Sequence, residues 1–573
     1  MTTLFKDSVR NRIFVLTIFI FLFIAVLIAR LFFLQVLSHK DYQTLAENQH
    51  ELYRTLTPKR GQILVLENKN GRIVPAVTNI EKNLVYAEPQ KITDKEKTAA
   101  ALAKVLALPK TEILQKISDS RKWLVLKKEL PESEALAVAG LKLPGIGLEP
   151  ESFRFYPEKE FASQILGFYA FSENERIGQY GIEEQYEQIL SGTPGSLALE
   201  KDLKGAWITG GARNVQAAVD GADIVLTVDR AIQYQAESIL KSAVQKYEAE
   251  DGSMIVLDPK TGKILAMASF PTFDPNLFNK VTDPAVYRNR AITDSYEPGS
   301  VFKPITMAAG IDTEAVTPDM TFEDTGAVTI DKYTIKNALD KVFGVQTMTA
   351  VLEQSINTGA IFVQQKTGQD KFYEAVKRFG FGAKIGISLP SESAGDVRNL
   401  DRGGEIHYAT ASFGQGITAT VLQMAQAYAA IANSGKMMKP YIVEKINHKN
   451  GQVEVFTPQE KAQVISSKAA HTVGAMLVNV VENGHGKRAG VPGYYIGGKT
   501  GTAQIARSDG PGYDPDRSIG TFAGFGPIDD PKFVIVVKIT NPRAARFAES
   551  TAAPTFGEMA QFLVNYYQIP PSR

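Results

Sequence analysis

The chain has 573 residues, 44% of them hydrophobic, which exceeds what one core supports and predicts two or more globular units. Lys plus Arg (63) nearly balances Asp plus Glu (62), and no basic run is interleaved with aromatics, so nucleic acid is excluded as an expected partner. There is no Cys, and the six His residues lack a His-Glu-x-x-His spacing, so we expect neither disulfides nor a metal or other cofactor.

Residues 13–37 form an apolar run, IFVLTIFIFLFIAVLIARLFFLQVL, that is long enough to span a bilayer. It exceeds the apolar region of a signal peptide, and Leu37-Ser38 is a poor cleavage site, so the sequence predicts an uncleaved anchor. Three basic residues precede the run, namely Lys6, Arg10 and Arg12. The positive-inside rule therefore predicts that residues 1–12 are a cytoplasmic tail and that the rest of the chain lies outside the cell membrane.

Residues 38–219 alternate short strand-like runs with charged helical patterns and carry no catalytic cluster. The turn Asn68-Lys69-Asn70-Gly71 separates two apolar runs and predicts a hairpin. Amphipathic spacing predicts helices over 94–106 and 109–118. Turn residues crowd the segment from 191 to 211, including Lys204-Gly205 and Gly210-Gly211, and predict a connection that ends near Asp220.

Residues 220–573 are predicted to form an α+β domain, because strands stand at both ends and helices between them. It opens with a strand at 224–229, a helix at 230–247 and a hairpin over 254–268. A helix-rich middle follows from 300 to 433. Four strands, at 494–496, 502–506, 520–525 and 533–539, and a last helix at 554–567 complete the domain.

Pro298-Gly299-Ser300-Val301-Phe302-Lys303-Pro304 sets a hydroxyl and an amine one helical turn apart. In a continuous helix Pro304 would collide with the carbonyl of Ser300, so the helix is predicted to begin at or just after Ser300. A serine there lies at the positive end of the helix dipole, beside free N–H groups that can stabilise an oxyanion. Ser238 and Lys241 repeat the pattern, but they fall opposite the apolar face of the 230–247 helix and are predicted to be solvated.

A serine nucleophile needs a base, and no Gly-x-Ser-x-Gly elbow indicates a His-assisted hydrolase. Lys303 would have to serve, with a pKa lowered by burial and by a second positive charge. Lys-Thr-Gly occurs three times, at 260–262 in a predicted turn, at 366–368 closing a predicted helix, and at 499–501 in the C-terminal strand region. Glycines beside the third copy allow a peptide to approach an edge strand.

Residues 493–500 formally match a phosphate-binding P-loop, but we reject the match because Tyr-Tyr-Ile fills the loop and Gly501 spoils the helix that should follow. Ser355-Ile356-Asn357 is a further candidate; it either carries chemistry or merely ends one helix and begins the next. Ser172-Glu173-Asn174 repeats that pattern in the first unit.

Together, Ser300-x-x-Lys303, Ser355-x-Asn357 and Lys499-Thr500-Gly501 have the order and spacing of the penicillin-binding transpeptidases, which the chain resembles. The likeness extends to Gly414-Gln415-Gly416-Ile417, Thr502-Ala503-Gln504 and the early Arg60-Gly61-Gln62-Ile63. With one anchor and no glycosyltransferase motifs, the whole chain resembles a class B penicillin-binding protein. The run 411–417 is most similar to the cell-division type.

The resemblance implies a C-terminal transpeptidase domain, with an antiparallel sheet flanked by helices, on an elongated N-terminal pedestal of the dimerisation type. It implies that Ser300 attacks the penultimate D-Ala carbonyl of a peptidoglycan stem peptide and that Lys303 is its base. Ser355 would pass a proton to the leaving amine and Asn357 would hold the acyl side chain's amide. Lys499, Thr500 and Thr502, beside Gly501, would bind the terminal carboxylate.

The resemblance also implies an oxyanion hole made by the backbone N–H groups of Ser300 and Thr502, and trapping of β-lactams at Ser300. The implied location is the bacterial inner membrane, with a polytopic glycan polymerase and other divisome proteins as partners. One departure is visible: Leu64-Val65-Leu66-Glu67-Asn68 stands where the family commonly has an Asp-Arg-Asn-Gly turn. Three alternatives stay open: an elongation-type transpeptidase, a β-lactam hydrolase or sensor, and a noncatalytic division scaffold.

Overall fold

The computed structural model describes residues 3–37, 51–67, 71–172, 175–200, 213–507, 510 and 512–573. Contacts divide the chain into two units, one made of Met1–Lys59 with Gly192–Asp220 and the other of Arg60–Ser191 with Gly221–Arg573. Residues 68–70 of the predicted turn, Lys204-Gly205, Gly210-Gly211 and residues 173–174 of the repeated Ser-x-Asn lie outside the described residues. The domain limits taken from the sequence, 38–219 and 220–573, stay a prediction.

The elements before residue 220 alternate between short strands and short helices. In chain order they are α1 (Thr3–Phe32), β1 (Glu51–Leu56), β2 (Ile63–Leu66), β3 (Ile73–Ala87), α2 (Lys95–Leu106), α3 (Lys110–Ile117), β4 (Leu124–Leu130), α4 (Glu132–Gly140), β5 (Ile146–Phe155), α5 (Ser163–Leu166), β6 (Phe168–Ser172), β7 (Glu175–Gln179), α6 (Gly181–Gln185), α7 (Glu187–Ser191), β8 (Gly195–Glu200) and β9 (Arg213–Gln216).

The elements after residue 220 include the longer helices and the strands of the central sheet. They are β10 (Asp223–Asp229), α8 (Arg230–Lys246), β11 (Asp251–Leu257), β12 (Ile264–Phe270), α9 (Arg290–Thr293), α10 (Lys303–Asp312), β13 (Thr321–Asp324), β14 (Ala327–Ile330), β15 (Tyr333–Lys336), β16 (Gly344–Thr347), α11 (Met348–Glu353), α12 (Asn357–Thr367), α13 (Gln369–Arg378), α14 (Arg398–Asp401), α15 (Glu405–Ala411), α16 (Val421–Ala432), β17 (Lys436–Met438), β18 (Val443–Asn447), β19 (Val453–Val455), β20 (Glu460–Gln463), α17 (Ser467–Glu482), β21 (Gly497–Ala506), β22 (Tyr513–Gly526), β23 (Phe533–Thr540) and α18 (Ala552–Tyr566).

The first unit contains the predicted apolar helix. Helix α1 continues into a π-helical turn at Phe33–Leu37, and Leu16–Val36 is long and apolar enough to cross a membrane. Strands β1, β8 and β9 form a three-stranded antiparallel sheet in the order β1-β8-β9. Within the described residues α1 is the one helix long and apolar enough to span a membrane, in agreement with the predicted apolar helix.

The second unit is built on two larger sheets. One has the strand order β19-β18-β10-β2-β3-β4, with β5 also paired to β3, and in it β10 runs parallel to β2. The other is antiparallel, in the order β12-β11-β23-β22-β21, so β21 is an edge strand. Helices α8 and α18 share one apolar cluster with its strands, while α16 and α17 contact it as well. This antiparallel sheet flanked by helices confirms the predicted fold class.

Local patterns predicted the longer helices α2, α8 and α18 and the strands β10, β11, β12, β22 and β23, but not most of the short strands. Residues 494–496 are not a strand, and β21 is one continuous strand where two were predicted. A Cβ at Gly498 would lie 2.5 Å from the Phe522 ring, so this glycine gives the ring its room within the strand. The middle of the domain also contains the short strands β13–β16, which the sequence analysis did not predict.

A buried ionic cluster connects separate segments of the second unit. Glu183 is fully buried and accepts hydrogen bonds from Arg60 (2.6 and 2.8 Å), Arg154 (2.7 Å) and the Tyr156 hydroxyl (3.2 Å). Burial alone would raise the pKa of Glu183, but Arg154 and Arg60 more than offset that and lower it. The carboxylate is therefore charged and binds two arginines that are far apart in the sequence.

Replacing Glu183 by Gln is expected to destabilise the second unit, because it removes the carboxylate that pairs with buried Arg154 and one of the two that pair with Arg60, which keeps Glu187. We expect a loss of about 3 kcal/mol in the free energy of unfolding, measured by urea unfolding of the detergent-solubilised chain. Glu184→Gln changes the neighbouring, exposed carboxylate and serves as the control. Equal unfolding midpoints for the two variants would contradict this account of the cluster.

Candidate active site

Ser300 lies in a tight turn at the start of α10. The turn, Gly299–Phe302, is a 3-10 helix, and the α-helix proper begins at Lys303 with Pro304 in its first turn. The predicted helix start was therefore right for the 3-10 turn and three residues early for the α-helix. Pro304 has no N–H and its ring excludes an α-helical Ser300 carbonyl, so the chain reaches Lys303 through a tighter turn.

Glycines bring three chain segments together around Ser300. Gly299 has φ +59° and donates its N–H to the carbonyl of Gly414 (3.0 Å). A Cβ at Gly414 would lie 2.2 Å from the Gly299 carbonyl oxygen, and one at Gly501 would lie 2.9 Å from the nitrogen of Val301. Strand β21 and the 414–416 loop therefore approach the Ser300 turn more closely than any side chain permits.

Lys303 is buried and its amine points at the Ser355 segment. Its Nζ donates to the Ser355 carbonyl oxygen (2.5 Å) and to Oδ1 of Asn357 (2.8 Å), and lies 3.3 Å from the Ser355 hydroxyl oxygen. The first two partners are carbonyl oxygens, which only accept hydrogen bonds. They take the two hydrogens that a neutral amine has, which leaves its lone pair free.

Lys499 approaches the same hydroxyl from strand β21. Its Nζ donates to Oγ of Ser355 (3.0 Å) and to the carbonyl oxygen of Thr500 (3.0 Å). Both lysines are almost inaccessible, with Lys303 1% exposed and Lys499 0% exposed. In the described part of the chain neither amine has a carboxylate partner.

This burial without a countercharge lowers the pKa of both amines. Desolvation lowers the pKa of Lys303 well below its ordinary value, and the positive charge of Lys499 lowers it further. Desolvation lowers the pKa of Lys499 to about 7. Two ammonium groups cannot both be held cheaply beside one hydroxyl, so we assign the neutral form to Lys303, which is the amine shifted by both causes.

Ser355 and Asn357 lie where one helix ends and the next begins, as one of the two interpretations of their sequence predicted. Helix α11 ends at Glu353 and α12 begins at Asn357, with Ser355 in the left-handed region at φ +56°. That conformation costs on the order of 1 kcal/mol or more for a residue with a side chain. It directs both the hydroxyl and the carbonyl of Ser355 toward the lysine amines.

Thr500, Gly501 and Thr502 follow Lys499 along the edge strand. Thr500 and Gly501 are buried, whereas Thr502 is exposed and its hydroxyl accepts a hydrogen bond from the N–H of Ala548 (3.1 Å). The strand after Lys499 also replaces the helix that a P-loop needs, in agreement with the rejection of that match. Because β21 is at the sheet edge, an extended peptide can pair with its free side.

The structure brings Lys303, Ser355, Asn357 and Lys499 into direct contact, with Gly501 against the Ser300 turn. Within the described residues the Ser300 hydroxyl has no hydrogen-bond partner, so its contact with Lys303 is not made in this state. Catalytic hydrogen bonds are often long in unliganded sites and tighten when substrate binds. The described residues include no group of three or more His, Asp and Glu side chains placed to hold a metal ion.

The repeated patterns lie elsewhere, as predicted. Ser238 and Lys241 are exposed on α8. Lys260-Thr261-Gly262 forms the turn between β11 and β12, and Lys366-Thr367-Gly368 closes α12, where Gly368 has φ +82°. These three predictions are confirmed.

Glu297 is a residue that the sequence analysis missed. Its carboxylate accepts the N–H of Gly416 (2.9 Å) and the hydroxyl of Tyr513 (2.8 Å), three residues before Ser300. Burial raises its pKa. It links the Ser300 turn to the 414–416 loop and to β22, and only its place beside Pro298-Gly299 could have suggested this role.

Two family models match the chain. The penicillin-binding protein transpeptidase domain matches residues 252–561, and the penicillin-binding protein dimerisation domain matches residues 55–226. The first covers more than half of the 573 residues.

Named relatives and solved structures agree with the family models. Stage V sporulation protein D of Bacillus subtilis is 33% identical, over 96% of this chain and 85% of its own. The probable peptidoglycan D,D-transpeptidase PbpC of Pseudomonas aeruginosa is 31% identical, over 98% of this chain and 96% of its own. The crystal structure of penicillin-binding protein 3 of Mycobacterium tuberculosis, complexed with aztreonam, has a TM-score of 0.70 at 27% identity and covers 91% of this chain and 98% of that one.

Proposed function

Since the chain belongs to the class B penicillin-binding proteins and is a serine D,D-transpeptidase of peptidoglycan, we propose that Ser300 is its nucleophile and Lys303 its base. One observation carries the proposal: the Lys303 and Lys499 amines are both buried and lie 3.3 and 3.0 Å from the same Ser355 hydroxyl oxygen. A neutral Lys303 one turn from Ser300 can accept its proton without help from histidine.

In the acylation step, Ser300 Oγ attacks the penultimate D-Ala carbonyl carbon of a stem peptide and its proton passes to Lys303. The negative charge that develops on the carbonyl oxygen is stabilised by the backbone N–H groups of Ser300 and Thr502. Ser355 then delivers a proton to the departing amine. Its oxygen accepts from Lys499 and lies 3.3 Å from the Lys303 amine, so Lys303 can pass it the proton taken from Ser300 while the Ser355 O–H gives its own proton to the leaving amine.

The remaining residues bind and orient the donor peptide. The donor pairs with the free edge of β21, the Asn357 amide holds the acyl side chain, and Lys499, Thr500 and Thr502 receive its terminal carboxylate. A carboxylate in this position supplies the countercharge that Lys499 lacks in the described structure, and its arrival raises the pKa of that amine. An amine of a neighbouring stem peptide then attacks the acyl-enzyme, which yields the cross-link and frees Ser300.

We further propose that residues 1–12 are cytoplasmic, that 13–37 anchor the chain in the inner membrane, and that 38–219 form a pedestal for the domain 220–573. The basic residues before the anchor support this orientation. The proposed partners are a polytopic glycan polymerase and other divisome proteins, which meet the anchor and the pedestal.

Labelling with a fluorescent penicillin tests the nucleophile. We expect covalent label on the wild-type chain, complete loss of it in Ser300→Ala, and no change in Ser238→Ala, because Ser238 is exposed on α8 beside a solvated lysine. The label is read on denaturing gels, and rapid loss of label from the wild type would instead indicate a β-lactam hydrolase. Label that persists in Ser300→Ala would overturn the assignment.

Depletion of the protein in its host tests the division role. We expect filaments, because septal cross-linking stops while elongation of the cell wall continues. The scored quantity is cell shape by microscopy, and spherical cells would assign the chain to elongation instead. Complementation with Ser300→Ala should fail; normal division with that variant would identify a noncatalytic scaffold.

A further inference from the structure

Asn357 is held in place by a residue that belongs to a different part of the chain. The side-chain oxygen of Asn337, just after β15, accepts the backbone N–H groups of Asn357 (3.0 Å) and Thr358 (3.2 Å). These are free N–H groups of the first turn of α12, so Asn337 caps that helix across 20 residues of sequence. Asn337 itself is only 4% exposed.

Asp324, at the end of β13, holds Asn337 in turn. Both carboxylate oxygens of Asp324 accept the Asn337 amide (3.0 and 2.9 Å), and Oδ1 also accepts the Thr358 hydroxyl (2.6 Å). The backbone N–H groups of Gly326 and Phe343 complete the set at 2.9 and 2.8 Å. The carboxylate thus accepts five hydrogen bonds from four residues.

The charge of Asp324 is maintained by these donors and not by a cation. Burial alone would raise its pKa, but the hydrogen bonds, beginning with that of Thr358, more than offset this and lower it. Among the described residues it forms no salt bridge. A buried carboxylate whose oxygens are all engaged has one low-energy arrangement, so it orients its partners firmly.

The orientation of the Asn357 side chain follows from this arrangement. Its Nδ2 donates to the carbonyl of Lys336 (3.0 Å), the residue next to Asn337. Its Oδ1 is thereby turned toward the Lys303 amine, 2.8 Å away. Ser355 lies in the same backbone segment, two residues before Asn357, whose N–H group binds Asn337.

We propose that Asp324 and Asn337, with the hydroxyl of Thr358, are positioning residues that hold Asn357 and Ser355 against the Lys303 amine. They touch neither substrate nor the reacting atoms. The inference rests on the proposed roles of Lys303 and Asn357 and adds to them a buried support that joins β13 and β15 to the start of α12. A displacement of about 1 Å at such a site costs on the order of 100-fold in rate.

Three substitutions in one helix separate positioning from general stability. Thr358→Val removes the hydroxyl and keeps the shape, and Thr358→Ser keeps the hydroxyl. Thr367→Val is the matched control, because Thr367 is also buried in α12 and its hydroxyl only bonds the carbonyl of Val363 in the same helix (2.8 Å). Each full-length variant is purified in detergent, and its thermal midpoint and its rate constant of acylation by a fluorescent penicillin are measured.

We expect Thr358→Val to slow acylation about 10-fold and Asn337→Ala about 100-fold, with Thr358→Ser and Thr367→Val near the wild-type rate. The proposal is overturned if folded Thr358→Val acylates like the wild type, or if Thr367→Val slows equally. Should Asn337→Ala not fold, the Val and Ser variants of Thr358 decide the matter. Label that persists in Ser300→Ala would overturn the proposed function instead, so the two failures are distinguishable.

Discussion

The site depends on one constraint: two buried lysine amines that pair with no carboxylate of the described residues. Lys303 and Lys499 are buried and both lie within hydrogen-bond distance of the Ser355 hydroxyl oxygen. Burial of an amine in these surroundings favours its neutral form, and a second amine nearby favours it further. A lysine, which is ordinarily protonated and useless as a base, thereby becomes able to accept a proton. The fold must hold both amines out of water and close enough that a charge on Lys499 disfavours one on Lys303.

The surrounding structure meets this demand by close backbone packing and by oriented carbonyl groups. Gly414 and Gly501 allow their segments to approach the Ser300 turn at distances that exclude a Cβ, and Gly299 supplies the positive φ of the turn itself. The left-handed conformation of Ser355 and the cap on α12 then direct carbonyl oxygens at Lys303. These acceptors satisfy the hydrogens of a neutral amine without supplying the negative charge that would raise its pKa. The proposed function therefore depends on keeping negative charge away from Lys303 as well as on the groups that contact it.

The sequence predicted features that depend on near neighbours. The apolar face of α8 predicted that Ser238 and Lys241, which lie opposite it, are solvated. Pro304 restricted where the helix after Ser300 begins. It did not predict β13–β16, because four-residue strands within a helix-rich region carry too few alternating positions. The Asp324 and Asn337 support also left no local pattern, since its members lie up to 34 residues apart. The contact of both lysines with one hydroxyl depends on the tertiary structure. The spacing of the motifs identified only the residues that could take part in it.

The pH dependence of acylation tests the neutral state of Lys303 most directly. The measured quantity is the second-order rate constant for reaction of the wild-type chain with a fluorescent penicillin between pH 5 and about 9. An ordinary lysine, with a pKa of about 10.4, stays protonated throughout this range. The account predicts that the rate rises with pH as Lys303 loses its proton and then levels off within this range, because burial and the charge of Lys499 hold the pKa of this amine well below its ordinary value. A rate that still climbs about tenfold per pH unit up to the end of the range, as an ordinary lysine base would require, would contradict it.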